Sequence, residues 1–179
     1  MNNKNYRDTV IDIMEKEIHE IIERQTQKQY QKIALEIVRL RTDAESLGIK
    51  DIDHAPQDEL TYSCQIFIMR EMAKDFKIKG YEEMNLVELQ TLLGKYCLND
   101  EEGNYASARK TAEIFGIKDY YKMDKSELNK SLMLYTSRKI GNKLNIEGSD
   151  SMICDELQEE IKNKFTPIKV KEILDTVEF

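Results

Sequence analysis

Between residues 105 and 145 the chain gathers cations and tyrosines. Arg109, Lys110, Lys118, Lys122, Lys125, Lys130, Arg138, Lys139 and Lys143 are interleaved with Tyr120, Tyr121 and Tyr135. Lysine and arginine displace counterions from a phosphate backbone, and tyrosine rings offer a surface on which bases stack, so the mixture suits nucleic acid. The competing reading is a set of solvated helix faces. Glu113, Asp119, Asp124 and Glu127 lie among the cations, and mixed-sign surfaces serve solubility. Other chemistry is harder to assemble. His19 has Glu15 and Glu23 four residues to either side, an ordinary surface triplet, and His54 stands alone. Cys64, Cys97 and Cys154 include no C-x-x-C pair, so neither a zinc site nor a disulfide framework is indicated. H-E-x-x-H, a Gly-rich phosphate loop and G-x-S-x-G are all missing from the sequence. No catalytic residue, metal or cofactor is expected, and the chain reads as a binding protein rather than an enzyme.

The elements that would hold these residues come from a repeat. Ala112 to Leu132 runs AEIFGIKDYYKMDKSELNKSL: a helix ending near Gly116-Ile117, a loop with Tyr120 and Met123, and a second helix opening at Asp124. Asp124 and Glu127 have capping-box spacing. Ala44–Cys64, Ala73–Leu93 and Gly141–Ile161 repeat the pattern at a period near thirty residues, the mark of stacked supersecondary units. Four columns stay apolar: Leu47/Phe76/Phe115/Leu144, Ile49/Ile78/Ile117/Ile146, Leu60/Leu89/Leu128/Leu157 and Cys64/Leu93/Leu132/Ile161. Glu59, Glu88, Glu127 and Glu156 fill a fifth, which capping and the helix dipole explain better than paired carboxylates do. Met84, Met123 and Met152 share a column expected to pack in the core. Helix two of unit one runs into helix one of unit two with no turn residue between them.

The pattern apolar-x-Ile-x-x-x-x-x-Met-x-x-x-Glu-Leu, flanked by short helices, resembles the helix–extended-loop–helix module of the Rho terminator N-terminal subdomain and of SAP domains, with LEM domains more distant in shape. GIKDYYKMDKSEL and KIKGYEEMNLVEL hold nearly every position. Unit one departs with Ala55 for Met and Pro56 at the cap, and unit four with Ile153 at the cap. The resemblance covers about half the chain, given the repeat length. It implies a small nucleic-acid- or protein-binding module without an active site. It also implies contact through the loop and the start of the second helix, which are Lys118, Tyr121, Lys122 and Lys125 here. Lys130, Arg109 and Lys110 extend that candidate surface.

The expected fold is all-α, with five segments. Residues 1–43 form an amphipathic helix or helix pair, 44–98 units one and two, 99–104 a linker, 105–165 units three and four, and 166–179 a closing helix. Val10, Ile11, Met14, Ile18, Ile21 and Ile22 make one apolar face, which resumes at Tyr30 beyond the polar stretch Glu23–Gln29. That face is expected to lie on its own domain, with homodimerisation through Ile11, Met14, Ile18 and Ile21 as the alternative. Thr166-Pro167 has the order of a helix start, and the helix it opens should cover the last unit, as terminal caps do in repeat arrays.

The formal net charge of −7 over 179 residues disfavours indiscriminate nucleic-acid binding. Acids crowd unit one, where Asp51 and Asp53 could face a protein partner. A second reading is therefore an acidic inhibitor or adaptor acting on a nucleic-acid-processing complex, in the manner of phage anti-restriction and anti-CRISPR proteins. No apolar run approaches the ~18–20 residues that cross a bilayer, and no signal-peptide core is visible. A reducing, cytoplasmic setting without membrane contact is expected.

Overall fold

Each unit opens with the same helix ending, written in backbone hydrogen bonds. The amides of Ile49, Ile78, Ile117 and Ile146 donate back to the carbonyls of Ala44, Ala73, Ala112 and Gly141, at 2.9 to 3.0 Å. The amide before each isoleucine, in Gly48, Lys77, Gly116 and Asn145, donates to the carbonyl three residues earlier. Together these bonds form a Schellman ending, which needs a left-handed residue just past the helix. Gly48, Lys77, Gly116 and Asn145 all have φ between 53° and 78°. A second left-handed residue follows three positions on, in Asp51, Gly80, Asp119 and Gly148. Every positive-φ residue in the described backbone falls in one of these two columns, so the repeat extends to the backbone itself.

The computed structural model describes residues 3–96 and 100–177, with side chains over 16–96 and 105–177. It is all-helical: α1 (Asn3–Ser46), α2 (Gln57–Asp75), α3 (Leu86–Leu93), α4 (Asp100–Ile114), α5 (Lys125–Lys143), α6 (Cys154–Lys164) and α7 (Pro167–Leu174). Short 3-10 turns at Tyr81–Glu83 and Tyr120–Lys122 sit in the loops of units two and three. The second helix of each unit starts where Leu60, Leu89, Leu128 and Leu157 are buried. Asn85 and Asp124 complete capping boxes with Glu88 and Glu127. Pro56 and Ile153 provide no side-chain cap, so Glu59 and Glu156 are left with the dipole alone. α2 serves units one and two, and α5 serves units three and four, each as one unbroken helix.

Three expectations need correction. Of the two arrangements expected for the N-terminal segment, the single helix is the one present, but its boundary is not at residue 43: it runs on to Ser46 and supplies the first helix of unit one. From Lys16 to Tyr30 every residue is exposed, so this stretch buries no apolar face even where Ile22, Thr26 and Tyr30 border a groove beside α7; burial begins at Ala34 and Ile37. The side chains of Ile11 and Met14 lie outside the described residues. Of the expected linker 99–104, residues 100–104 are the first turn and more of α4. Polar residues with Asp and Glu are also what a helix start favours, and α4 is held on α2 by Lys110–Asp75. Finally, Phe76 leaves its otherwise covered column and stacks on Tyr96 at the surface, with ring centroids 5.1 Å apart.

Three clusters make the core. Met72, Ala73, Leu89 and Leu93 belong to unit two alone. Ala44, Leu47 and Cys64 of unit one pack on Phe115 of unit three, whose ring stacks on Tyr135 at 4.6 Å. The largest joins Ile37 and Leu40 of α1, Leu60 of α2, Ile140, Leu157 and Ile161 of unit four, and Val170, Ile173 and Val177. α7 therefore covers the last unit as expected and also holds α1. Gln31 Nε2 donates to the Phe165 carbonyl (3.2 Å), Arg41 to Thr176 Oγ1 (3.0 Å), and His54 Nδ1 lies 3.1 Å from the Thr176 carbonyl. Gly141 takes the place of the three alanines of its column. A Cβ there would meet Ser149 Cβ at 2.9 Å and Leu157 Cδ1 at 3.0 Å.

Candidate nucleic-acid interface

Four loops of equal length, with left-handed residues at the same two positions, carry four different sequences, and the contrast isolates unit three. After the second left-handed residue the units read Ile52-Asp53-His54, Tyr81-Glu82-Glu83, Tyr120-Tyr121-Lys122 and Ser149-Asp150-Ser151. The first residue of each triplet turns inward: Ile52, Tyr81 and Tyr120 are half-buried and Ser149 is buried. The next two face solvent, and only in unit three is neither acidic. Tyr121 is 59% exposed. Its hydroxyl donates to Asp119 Oδ1 (3.3 Å), and Lys122 Nζ stands 5.3 Å from its ring centroid, a cation–π distance.

The seven sequence-predicted contact residues separate into two groups. Lys118, Tyr121, Lys122 and Lys125 are exposed on the loop and at the first position of α5. Lys118 and Lys125 make no ion pair with another described residue, and Lys122 pairs with Asp119 at 2.7 Å. Both partners in that pair are exposed, so it contributes little and gives way readily to a competing anion. Lys130 is exposed but lies about 140° around the helix from Lys125 at 100° per residue, off the same face.

Arg109 and Lys110 hold the fold instead of facing a ligand. Arg109 Nη2 donates to the Tyr105 hydroxyl (3.0 Å) and the Tyr121 carbonyl (3.4 Å), with the guanidinium 4.2 Å from the Tyr105 ring centroid. The Tyr105 hydroxyl donates in turn to the Met123 carbonyl, so the pair braces the loop from beneath. The Lys110 side chain is 10% exposed and bridges Asp75 (2.6 Å) and Glu113 (3.1 Å). Burial works against its ammonium, but the hydrogen bonds to the two carboxylates outweigh burial and raise its pKa.

Arg109 also belongs to a column that reading for apolar residues passes over. Arg41, Arg70, Arg109 and Arg138 each stand three residues before the small residue of their unit. All four bury Nε without a protein partner. Arg70 Nη2 donates to the Met84 carbonyl at 3.3 Å, the unit-two counterpart of the Arg109 brace. Arg138 has no hydrogen-bond acceptor among the described residues. It lines an open groove with Ile117, Ser131, Lys139, Asn142 and Asp150, beside the root of the unit-three loop. The signal for this column was present in the sequence: an arginine returning at the repeat spacing.

The remaining candidates are quiet. Asp51 and Asp53 are exposed on the unit-one loop. Burial, with Asp43 nearby, pushes the Cys64 thiol up to about 11, far from a reactive thiolate. Among the described residues no three His, Cys, Asp or Glu side chains are grouped to hold a metal ion. No helix there is long and apolar enough to cross a membrane. No protein-family model matches the chain, and no curated protein or solved structure matches it either.

Proposed function

We propose that the chain is a non-enzymatic binding protein whose third unit contacts nucleic acid. Lys118, Lys122 and Lys125 would engage the phosphate backbone, with Tyr121 as a stacking platform. The observation that carries this reading is the internal contrast: at matching loop positions Tyr121 is exposed where the other units hold Asp53, Glu82 and Asp150, and Lys122 follows where they hold His54, Glu83 and Ser151. Acidic loops elsewhere repel phosphate and confine contact to that unit. Arg138 and Lys139, in the groove beside Ile117, extend the cationic path along α5. The resemblance to Rho N-terminal and SAP modules supports the same contact region.

Fluorescence anisotropy with single- and double-stranded oligonucleotides across a salt series tests it. Each of Lys118→Glu, Lys122→Glu and Lys125→Glu should weaken binding and lower the salt slope by about 1. Tyr121→Ala should cost about 1–3 kcal/mol if a base stacks there. Lys77→Glu with Lys79→Glu in unit two should change nothing. Absence of binding at low salt, or equal losses from unit two, rules the proposal out.

A further inference from the structure

Of the four arginines at the shared repeat position, three use their terminal nitrogens within the fold. Arg41 donates to Thr176 Oγ1, Arg70 to the Met84 carbonyl, and Arg109 to the Tyr105 hydroxyl and the Tyr121 carbonyl. Arg138 donates to none of the described residues; its Nε is closed off from solvent without a partner, and its terminal nitrogens are not closed off. The half-buried side chain lines a groove of about 400 Å³, in which Ile117 and Leu134 are apolar wall and Lys139, Asn142 and Asp150 are polar. Lys139 forms no ion pair with a described residue, and its Nζ stands 5.2 Å from the Tyr135 ring centroid. A guanidinium presents its N–H donors as a rigid planar fork, which takes an oxyanion through two parallel hydrogen bonds.

Charge and position choose the anion. The groove is lined by two cations, Arg138 and Lys139, and one acid, Asp150, so one positive charge is left to be matched. Asp150 Oδ1 accepts from Asn142 Nδ2 at 3.3 Å, and Asn142 Oδ1 accepts from Ser149 Oγ at 2.5 Å. The acid is thus held by its own unit and makes no pair with Arg138. A phosphodiester carries one negative charge, whereas a phosphate monoester carries about 1.5 to 2 at neutral pH and would set the excess against Asp150. Ile117 in the groove wall is followed directly by Lys118 of the unit-three loop, so a strand lying on that loop passes the groove. We propose that the groove between units three and four holds one phosphodiester of the bound strand, gripped by the Arg138 fork with Lys139 beside it. This rests on the reading of the chain as a nucleic-acid-binding protein.

Anisotropy titrations of the full chain with a single-stranded oligonucleotide, paired with thermal melts of the same variants, test it. Arg138→Gln should weaken binding severalfold on every sequence and lower the salt slope by about 1, yet melt with the wild type. Arg109→Gln, which loses the brace under the loop, should melt lower. Arg138→Lys should restore the salt slope but only part of the affinity, because the charge returns without the fork. Asp150→Asn should bind more tightly than the wild type. Wild-type affinity and slope in Arg138→Gln, or a melting loss equal to that of Arg109→Gln, would overturn the proposal. So would binding of poly-glutamate that Arg138→Gln abolishes while oligonucleotide binding is unchanged, which would give the groove to an acidic protein. Losses from the loop lysine substitutions alone remove the groove and keep the loop; losses from Arg138→Gln alone do the reverse. No binding at low salt ends both.

Discussion

At Asp43, burial and charge pull in opposite directions. Its side chain is 24% exposed on the inner part of α1, accepts a hydrogen bond from Thr136 Oγ1 at 2.6 Å, and lies 4.0 Å from Arg39 Nε. Burial raises its pKa above the ordinary carboxylate value, and the Thr136 bond and Arg39 only partly offset that. With the folded pKa above the unfolded one, the folded chain holds more protons between the two values, so stability falls as pH rises through that window. Asp43→Asn keeps an acceptor for Thr136 and loses the charge. In urea titrations it should be more stable than wild type at neutral pH, and the gap should close below the unfolded value of 3.8. At this scale the sequence was only partly legible. Gly48 and Gly116 advertise their left-handed backbone. Lys77 and Asn145 adopt it in the same column because the Schellman bonds demand it, and lysine gives no local sign of that.

Among the elements, helix starts show what a short motif can and cannot tell. Asp124 and Glu127 are legible as a capping box, and the structure contains both reciprocal bonds. Unit four has the same extended backbone at Ile153 and Glu156 waiting in place, but no oxygen at the cap. Ile153 is 62% exposed, so replacing it removes no core contact. Ile153→Asp should therefore stabilise the protein by about 1 kcal/mol in chemical denaturation, and no gain would mean that Glu156 cannot close the box. The start of α4 was not legible, since Gly103-Asn104 reads as punctuation. A glycine inside a helix costs only about 1 kcal/mol, and packing of α4 on α2 overrides it, as tertiary contacts commonly do with local preference.

For the whole molecule, the two-block description from sequence gives way to shared cores. Leu60 of unit one packs in the cluster that holds Leu157 of unit four, and Phe115 of unit three in the cluster of Ala44 and Leu47. Lys110–Asp75 and Lys143–Glu45 cross between the halves. Such a molecule should unfold in one calorimetric transition, with van't Hoff and calorimetric enthalpies in agreement. Leu60→Ala should cost about 2–5 kcal/mol and lower that single transition as a whole; two separated transitions would contradict the shared core. None of this was readable from the chain, because periodicity reports which face of a helix is apolar and not which other helix covers it. Within each half, however, 29 residues separate Ala44 from Ala73 and Ala112 from Gly141. An uninterrupted helix occupies the joint in both cases, so the unit-to-unit angle is a matter of counting. Deleting one residue from the middle of α2 or α5 would swing everything beyond it by about 100°, whereas an added residue in a loop would be absorbed where it stands. Length can thus vary at the bends of this molecule but hardly along its rods.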